Sequence, residues 1–214
     1  MPMRRRAIPI IGGIAVAVAL LGIVIVDMQY LNQADTNVGP RVVHINQTIS
    51  MPPSSPIDGL GITVVDTVAA EKLAGYKVDT ASYLPFNNSL RMTKINPDTK
   101  EVTLVYSPMA LAPSTTAEDV RAGKGFFIAY SVIPQGFDPK GWIEQFVADA
   151  PEVRKAVTIN GMPGEANEYS IAVDPNGVEL PLPAEVIFFR ENIQVSLAAE
   201  MPMTELIKVA ESLK

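Results

Sequence analysis

Glu165, Glu168 and Glu185 are the acids that could converge as a carboxylate pair. A hydrolase uses such a pair to protonate a leaving group and activate water. Their spacing matches no motif, and solvated acids are the ordinary reading. His44 is the only histidine, so a His-based zinc site, a Ser-His-Asp triad or a His general base has one candidate and no partners. The chain has no cysteine, which excludes disulfides, thiol nucleophiles, thiolate zinc sites and iron–sulfur clusters together. Asp174, Asn176 and Gly177 faintly resemble the start of a calcium loop, but Pro175 intervenes and the glycine comes too soon. A plain turn fits those residues better. Gly59 with Gly61, and Gly123 with Gly125, lack the pattern of a phosphate loop. No catalytic, metal or cofactor site is therefore expected.

Two weaker signals remain. Trp142 and Phe146, with Phe188 and Phe189, could line an apolar ligand pocket between a helix and a sheet. Core packing accounts for the same residues with fewer assumptions. Asn46 and Asn87 each begin an Asn-x-Ser/Thr sequon, relevant only where exported proteins are glycosylated.

What must position these residues begins with an anchor. Arg4, Arg5 and Arg6 directly precede an uncharged apolar run at residues 7–26, closed by Asp27. The run has the ~20 residues that a helix needs to cross a bilayer core. A cleavable signal peptide is the alternative, but its apolar stretch is shorter and ends at a small-x-small site. Here Leu20, Leu21, Ile23, Val24 and Ile25 follow the last alanines, and no such site stands near Asp27. The three arginines place residues 1–6 in the cytoplasm. A single-pass cell-membrane protein is expected, with a stalk at 27–58 and an extracytoplasmic domain at 59–214.

All 23 acidic residues, and all but three of the 17 basic ones, follow the run. An acidic outer domain is a poor partner for nucleic acid, which rewards a basic patch. About 185 residues suffice for one domain with its own core. Eighteen prolines and fourteen glycines mark many turns and favour a sheet-rich fold.

The pattern along the chain is α+β. Residues 41–50 partly alternate and could add to a sheet edge, and residues 51–56 read as an extended spacer because of their prolines. Asp66 or Thr67 caps a helix that ends at Gly75, with Val68, Ala69, Lys72 and Leu73 at helical spacing. Residues 90–96 and 101–107 form a hairpin around a Pro-Asp turn. Residues 125–133 make a central strand. Asp138 and Pro139 open a helix whose Trp142, Ile143, Phe146, Val147 and Ala150 share one face. Residues 153–160 and 167–173 pair across a turn at 161–164. Residues 184–190 and 193–199 pair across Glu191 and Asn192, with Asn192 at the position tolerant of positive φ. Met203, Leu206, Ile207, Ala210 and Leu213 stripe a last helix. These elements assemble as an antiparallel sheet packed on one face with about three helices.

Residues 69–78 (AAEKLAGYKV) followed by Ser82, Tyr83, Leu84 and Pro85 make a small helix and a tyrosine-leucine-proline entry. Residues 102–107 (VTLVYS), 157–164 (VTINGMPG), 185–190 (EVIFFR) and 205–213 (ELIKVAESL) follow in order. Together they resemble an uncharacterised extracytoplasmic domain family. It is found at the C-terminus of membrane-anchored bacterial anti-sigma and sporulation-related proteins and in anchored archaeal proteins. The likeness spans about residues 60–214. Where that family has a Glu-Gly-Tyr-like turn, Phe86, Asn87 and Asn88 stand here, so a function carried by that turn does not transfer. The resemblance implies a non-catalytic sensory or binding domain of unknown ligand. A carrier of lipid or another apolar ligand is the alternative, and an anchored hydrolase the third reading.

Overall fold

Alternating apolar residues joined by tight turns build this domain from hairpins. The computed structural model of the chain describes residues 41–44 and 56–214. The 7–26 run, its flanks and the Asn46 sequon lie outside the described residues. Within them, no helix is long and apolar enough to cross a membrane. The first hairpin joins β3 (Ser89–Ile95) to β4 (Val102–Ser107), and its turn is locked by Asn96, whose side-chain oxygen accepts from the Asp98 and Thr99 amides. The last joins β10 (Ala184–Arg190) to β11 (Ile193–Ala199). Its positive φ falls on Glu191 (53°), not on Asn192.

The sheet is completed by β2 (Ile62–Val64), β5 (Phe126–Val132), β6 (Arg154–Ile159) and β7 (Met162–Asn167). Its order is β2-β3-β4-β5-β11-β10-β7-β6, antiparallel at every step. The partner of β6 is thus β7, not residues 167–173. Asn160 (φ 50°) and Gly161 (φ 83°) make the turn between them. A two-residue Asn-Gly turn matches the twist of paired strands, so Met162, Pro163 and Gly164 belong to the strand.

Among the described residues, four α-helices cover the sheet, on both faces instead of one. One face buries Leu104, Tyr106, Phe126, Ile128, Val186, Phe188 and Leu197 in the main core. Over it lie α1 (Thr67–Ala74), capped by Asp66, and α4 (Met203–Glu211), which buries Met203, Leu206, Val209 and Ala210. In α1 the buried residue is Ala70, whereas Val68 and Leu73 are 69% and 48% exposed. On the opposite face, α2 (Ala117–Ala122) sets Val120 against Val105 and Phe127. Further along, α3 (Pro139–Asp149) sets Ile143 against Ile187 and Phe189. Period-2 alternation in β10 therefore feeds two cores, Val186 and Phe188 on one side and Ile187 and Phe189 on the other.

A small second sheet has the order β1-β8-β9, built from β1 (Arg41–His44), β8 (Ser170–Val173) and β9 (Glu179–Leu182). Here β1 runs parallel to β8 and does not extend the main sheet. Asp174 closes the β8–β9 turn by accepting from the amides of Asn176 and Val178, as a plain turn requires. Ile57, inside the stretch read as stalk, is 1% exposed and packs with Val105 and Phe127. The described parts of that stretch are thus held on the domain.

Candidate functional site

Strand register, not sequence spacing, brings the chemistry together. In the β7–β10 pair Glu185 lies opposite Asn167 and Ile187 opposite Glu165. Glu165, Asn167, Glu185 and Ile187 hence share the face beneath α2 and α3, with the two glutamates diagonal to each other. Diagonal neighbours on one face are about 7–8 Å apart and within reach of long side chains. Arg154 of β6 stands opposite Asn167 on the same face. From β11, Ala198 lies opposite Glu185 and Ser196 opposite Ile187, so the neighbours on that side are small.

Arg121 comes in from above on α2. That helix forms because Thr116 and Asp119 make a reciprocal capping box. Val120 then anchors it, and Arg121 is turned inward. Its guanidinium lies 4.0 Å from Glu200 Oε1 and 3.5 Å from Glu118 Oε1. Arg154 is held differently. Its Nη1 donates to the Phe146 carbonyl oxygen at 3.1 Å, and its guanidinium carbon stands 3.6 Å from the Phe146 ring centre.

The acids of this strip are deeply buried: Glu165 is 0% and Glu185 4% exposed, and Arg121 is 5% exposed. Six polar atoms find no hydrogen-bond partner: both carboxyl oxygens of Glu165, Oε1 of Glu185, Oδ1 of Asn167, and Nε and Nη1 of Arg121. Most buried polar groups in native proteins are paired, so such a concentration calls for water, a proton or a bound molecule. Burial pushes Glu165 up to about 9, helped by the nearby charge of Glu185 and opposed by Arg154. Burial also pushes Glu185 up to about 7 against the pull of Arg154 and Arg121. Both carboxyls therefore hold their protons more tightly than exposed glutamates do.

Glu168 does not join them. It turns toward Lys155, 3.7 Å away. Of the three acids singled out from sequence, Glu165 and Glu185 come together as a buried pair. Trp142 and Phe146 are half-buried on α3. The Trp142 ring stacks on Phe146 at 4.8 Å and meets Phe189 edge-on at 5.6 Å. Two protein rings thus border the indole. Asn87 follows Phe86 in a short 3-10 turn at Pro85–Asn87, with φ of 56° at both residues, and Asn87 is exposed. Among the described residues, no three His, Cys, Asp or Glu side chains group to hold a metal ion.

Arg121 and Arg154 were not singled out from sequence. Thr116 and Asp119 carry the Thr-x-x-Asp pattern of a capping box, which would have marked α2 and made Arg121 visible.

Gly164 keeps the strip in register. A Cβ there would lie 2.5 Å from the Ile187 carbonyl oxygen and 2.8 Å from Phe188 Cβ. Gly164→Ala must push β7 off β10 next to Glu165. A loss of about 1–3 kcal/mol is expected, as for other overpacked sites, and urea denaturation would measure it. No family model matches this chain, and neither does any curated protein or solved structure.

Proposed function

We propose that the chain is a single-pass membrane-anchored protein whose outer α+β domain is a non-catalytic sensor or binding module. Its ligand site, on this reading, is the strip of Arg121, Glu165, Asn167 and Glu185. The anchor rests on the 7–26 run and the arginines before it, and agrees with the resemblance to anchored extracytoplasmic domains. The binding role rests on one observation: four acceptor atoms and two donor atoms in the strip lack partners. A small zwitterion fits them chemically, its amine on the glutamates and its acidic group on Arg121. The charge-assisted bonds it would make are stronger than neutral ones.

Thermal unfolding of the full-length protein in detergent, titrated with glycine and other small amino acids, tests this. A ligand at a hundredfold its Kd adds about 2.7 kcal/mol, or about 5–10 °C in a domain this size. Glu185→Gln should abolish the rise. If no amino acid raises the midpoint in a saturable way, the site is not of this kind. Protease protection on membrane vesicles tests the topology, since digestion of the domain from the cytoplasmic side would overturn it.

A further inference from the structure

Large apolar side chains exposed singly on a protein surface need no explanation. Five of those exposed here are not scattered. Tyr83, Leu84, Phe86 and Leu90 crowd one turn at the start of β3, and Met109, 59% exposed, stands beside it. The turn is built to hold them out. Pro85 and Asn88 are buried, and Asn88 Nδ2 donates to the Pro85 carbonyl oxygen at 2.7 Å and to that of Lys124 at 2.9 Å. Met109 reaches the same neighbourhood, since a Cβ on Gly123 would come within 3.2 Å of its Cε. Phe86 and Asn87 both have φ of 56°, and Lys124 has φ of 66°. A bulky residue adopts that backbone only against strain, and here the strained backbone leaves the Phe86 ring 48% exposed. We propose that this turn is a membrane contact, in which Leu84, Phe86 and Met109 dip into the interface of the phospholipid bilayer that holds the anchor.

This contact rests on the anchored reading above, and strand register brings a bilayer within reach of the turn. Ser89 pairs with Ser107, Tyr106 with Phe126, and Ala199 with both Phe126 and Ala184. Asn167 pairs with both Glu185 and Arg154. The starts of β3 and β6 therefore lie at the same end of the sheet. Arg41 is held at that end too, because its Nη1 donates to the carbonyl oxygen of Glu152, just ahead of β6. Six strand spacings of about 4.8 Å put the turn roughly 30 Å away across the sheet. Residues 27–40, between the apolar run and Arg41, span at most about 45–50 Å. That length lets this end of the sheet lie on the bilayer and keeps the domain near it. Charge fits as well. Lys124 and Arg91 are exposed beside the turn, and Arg91 is held there by bonds to the Ser107 and Pro108 carbonyl oxygens. Cations at the rim of an apolar tip meet lipid phosphates while their stems lie along apolar surface. Glu205, which accepts from the Tyr83 hydroxyl, is paired with Lys208 at 2.7 Å.

The chain has no cysteine, so Leu84→Cys offers a single site for an environment-sensitive fluorophore. Full-length protein would be reconstituted in phosphatidylcholine vesicles, with and without lipids that carry a nitroxide just below the headgroup. The expected result is a blue-shifted label that the nitroxide quenches several-fold more than one on Val132→Cys. Val132 is exposed at the opposite end of the sheet. Phe86→Gly suits the left-handed backbone better than phenylalanine does. It should keep or raise the urea midpoint while the Leu84→Cys label loses its quenching. Where Leu84→Cys does not fold, Met109→Cys serves as the labelled site. An unquenched label in water-like surroundings, or quenching unchanged by Phe86→Gly, would overturn the proposal. A blue-shifted label that the nitroxide does not reach means that protein covers the turn, which overturns it as well. Carbonate extraction reads the anchor separately. A chain that stays in the vesicles yet is not quenched refutes the contact alone, whereas one that carbonate strips away refutes the anchor and the contact with it.

Discussion

Raising the pH from about 5.5 to about 9 should strip the domain of several kcal/mol of stability. Three buried carboxyls cause this. Burial pushes Glu165 up to about 9, Glu185 to about 7 and Glu101 to about 7, all from an ordinary 4.5. An unfolded chain releases these protons near the ordinary value, while the folded chain keeps them. The native state then binds more protons over that window, so stability falls as pH rises. The contribution is complete below the ordinary value and is lost as pH passes first the two groups near 7, then Glu165. Each tenfold difference in proton affinity corresponds to about 1.4 kcal/mol, so a fraction of the effect rivals the 5–15 kcal/mol that typical domains possess.

The acid side has its own limit. Burial opposes ionisation of Asp79, but the Lys77 ammonium, 2.6 Å away, and the Arg190 guanidinium outweigh it. Its carboxyl is held below the ordinary 3.8, so that stabilisation is present above 3.8 and lost as pH falls through the native value. Maximum stability should fall between about 4 and 6, the interval left by these opposing groups. Urea midpoints measured at several pH values would reveal it. A midpoint that rises toward pH 9 would contradict the buried-acid account. Glu101→Gln and Glu185→Gln should each flatten the slope near neutrality.

Phe188→Ala should cost about 3–5 kcal/mol, the range for removing a large buried aromatic. Phe188 lies on β10 between Val195 of β11 and Gly164 of β7, in the main core under α4. A hole there cannot collapse easily, because backbones flank it on both sides. Phe189 offers the internal control, since it faces the other way against Phe137 at 5.4 Å and Trp142 at 5.6 Å. Phe189→Ala should alter Trp142 emission in the folded protein, and Phe188→Ala should leave it unchanged. Equal emission changes in both variants would mean that the two cores are not separate.

Legibility from sequence followed the range of the forces involved. The β3–β4 and β10–β11 hairpins and the starts of α1 and α3 follow from turns and caps acting over a few residues, and the structure has them. Where two local signals competed, at Asn160 and Gly161 against Pro163 and Gly164, the stronger positive-φ pair won the turn. The second sheet was not legible, because β1 meets β8 over more than a hundred residues. Nor was the coming together of Glu165 and Glu185. Twenty residues separate them, and their meeting depends on the register of β7 against β10, which cores on both faces fix together. Placing helices on one face failed for the same reason. Alternation in β10 signalled cover on both sides, but α2, which supplies part of it, is too short to show a stripe.

The parallel seating of β1 on β8 bears on how tension would enter the molecule. A load applied along the axis of β1 would fall across the evenly spaced, slanted bonds of a parallel ladder. Those bonds must give way together instead of opening one at a time like a zip. Val43 and Ala172, with Leu180 and Leu182, form their own small apolar group apart from the larger cores. The little sheet thus resists as a unit, with an apolar support separate from that of the eight strands.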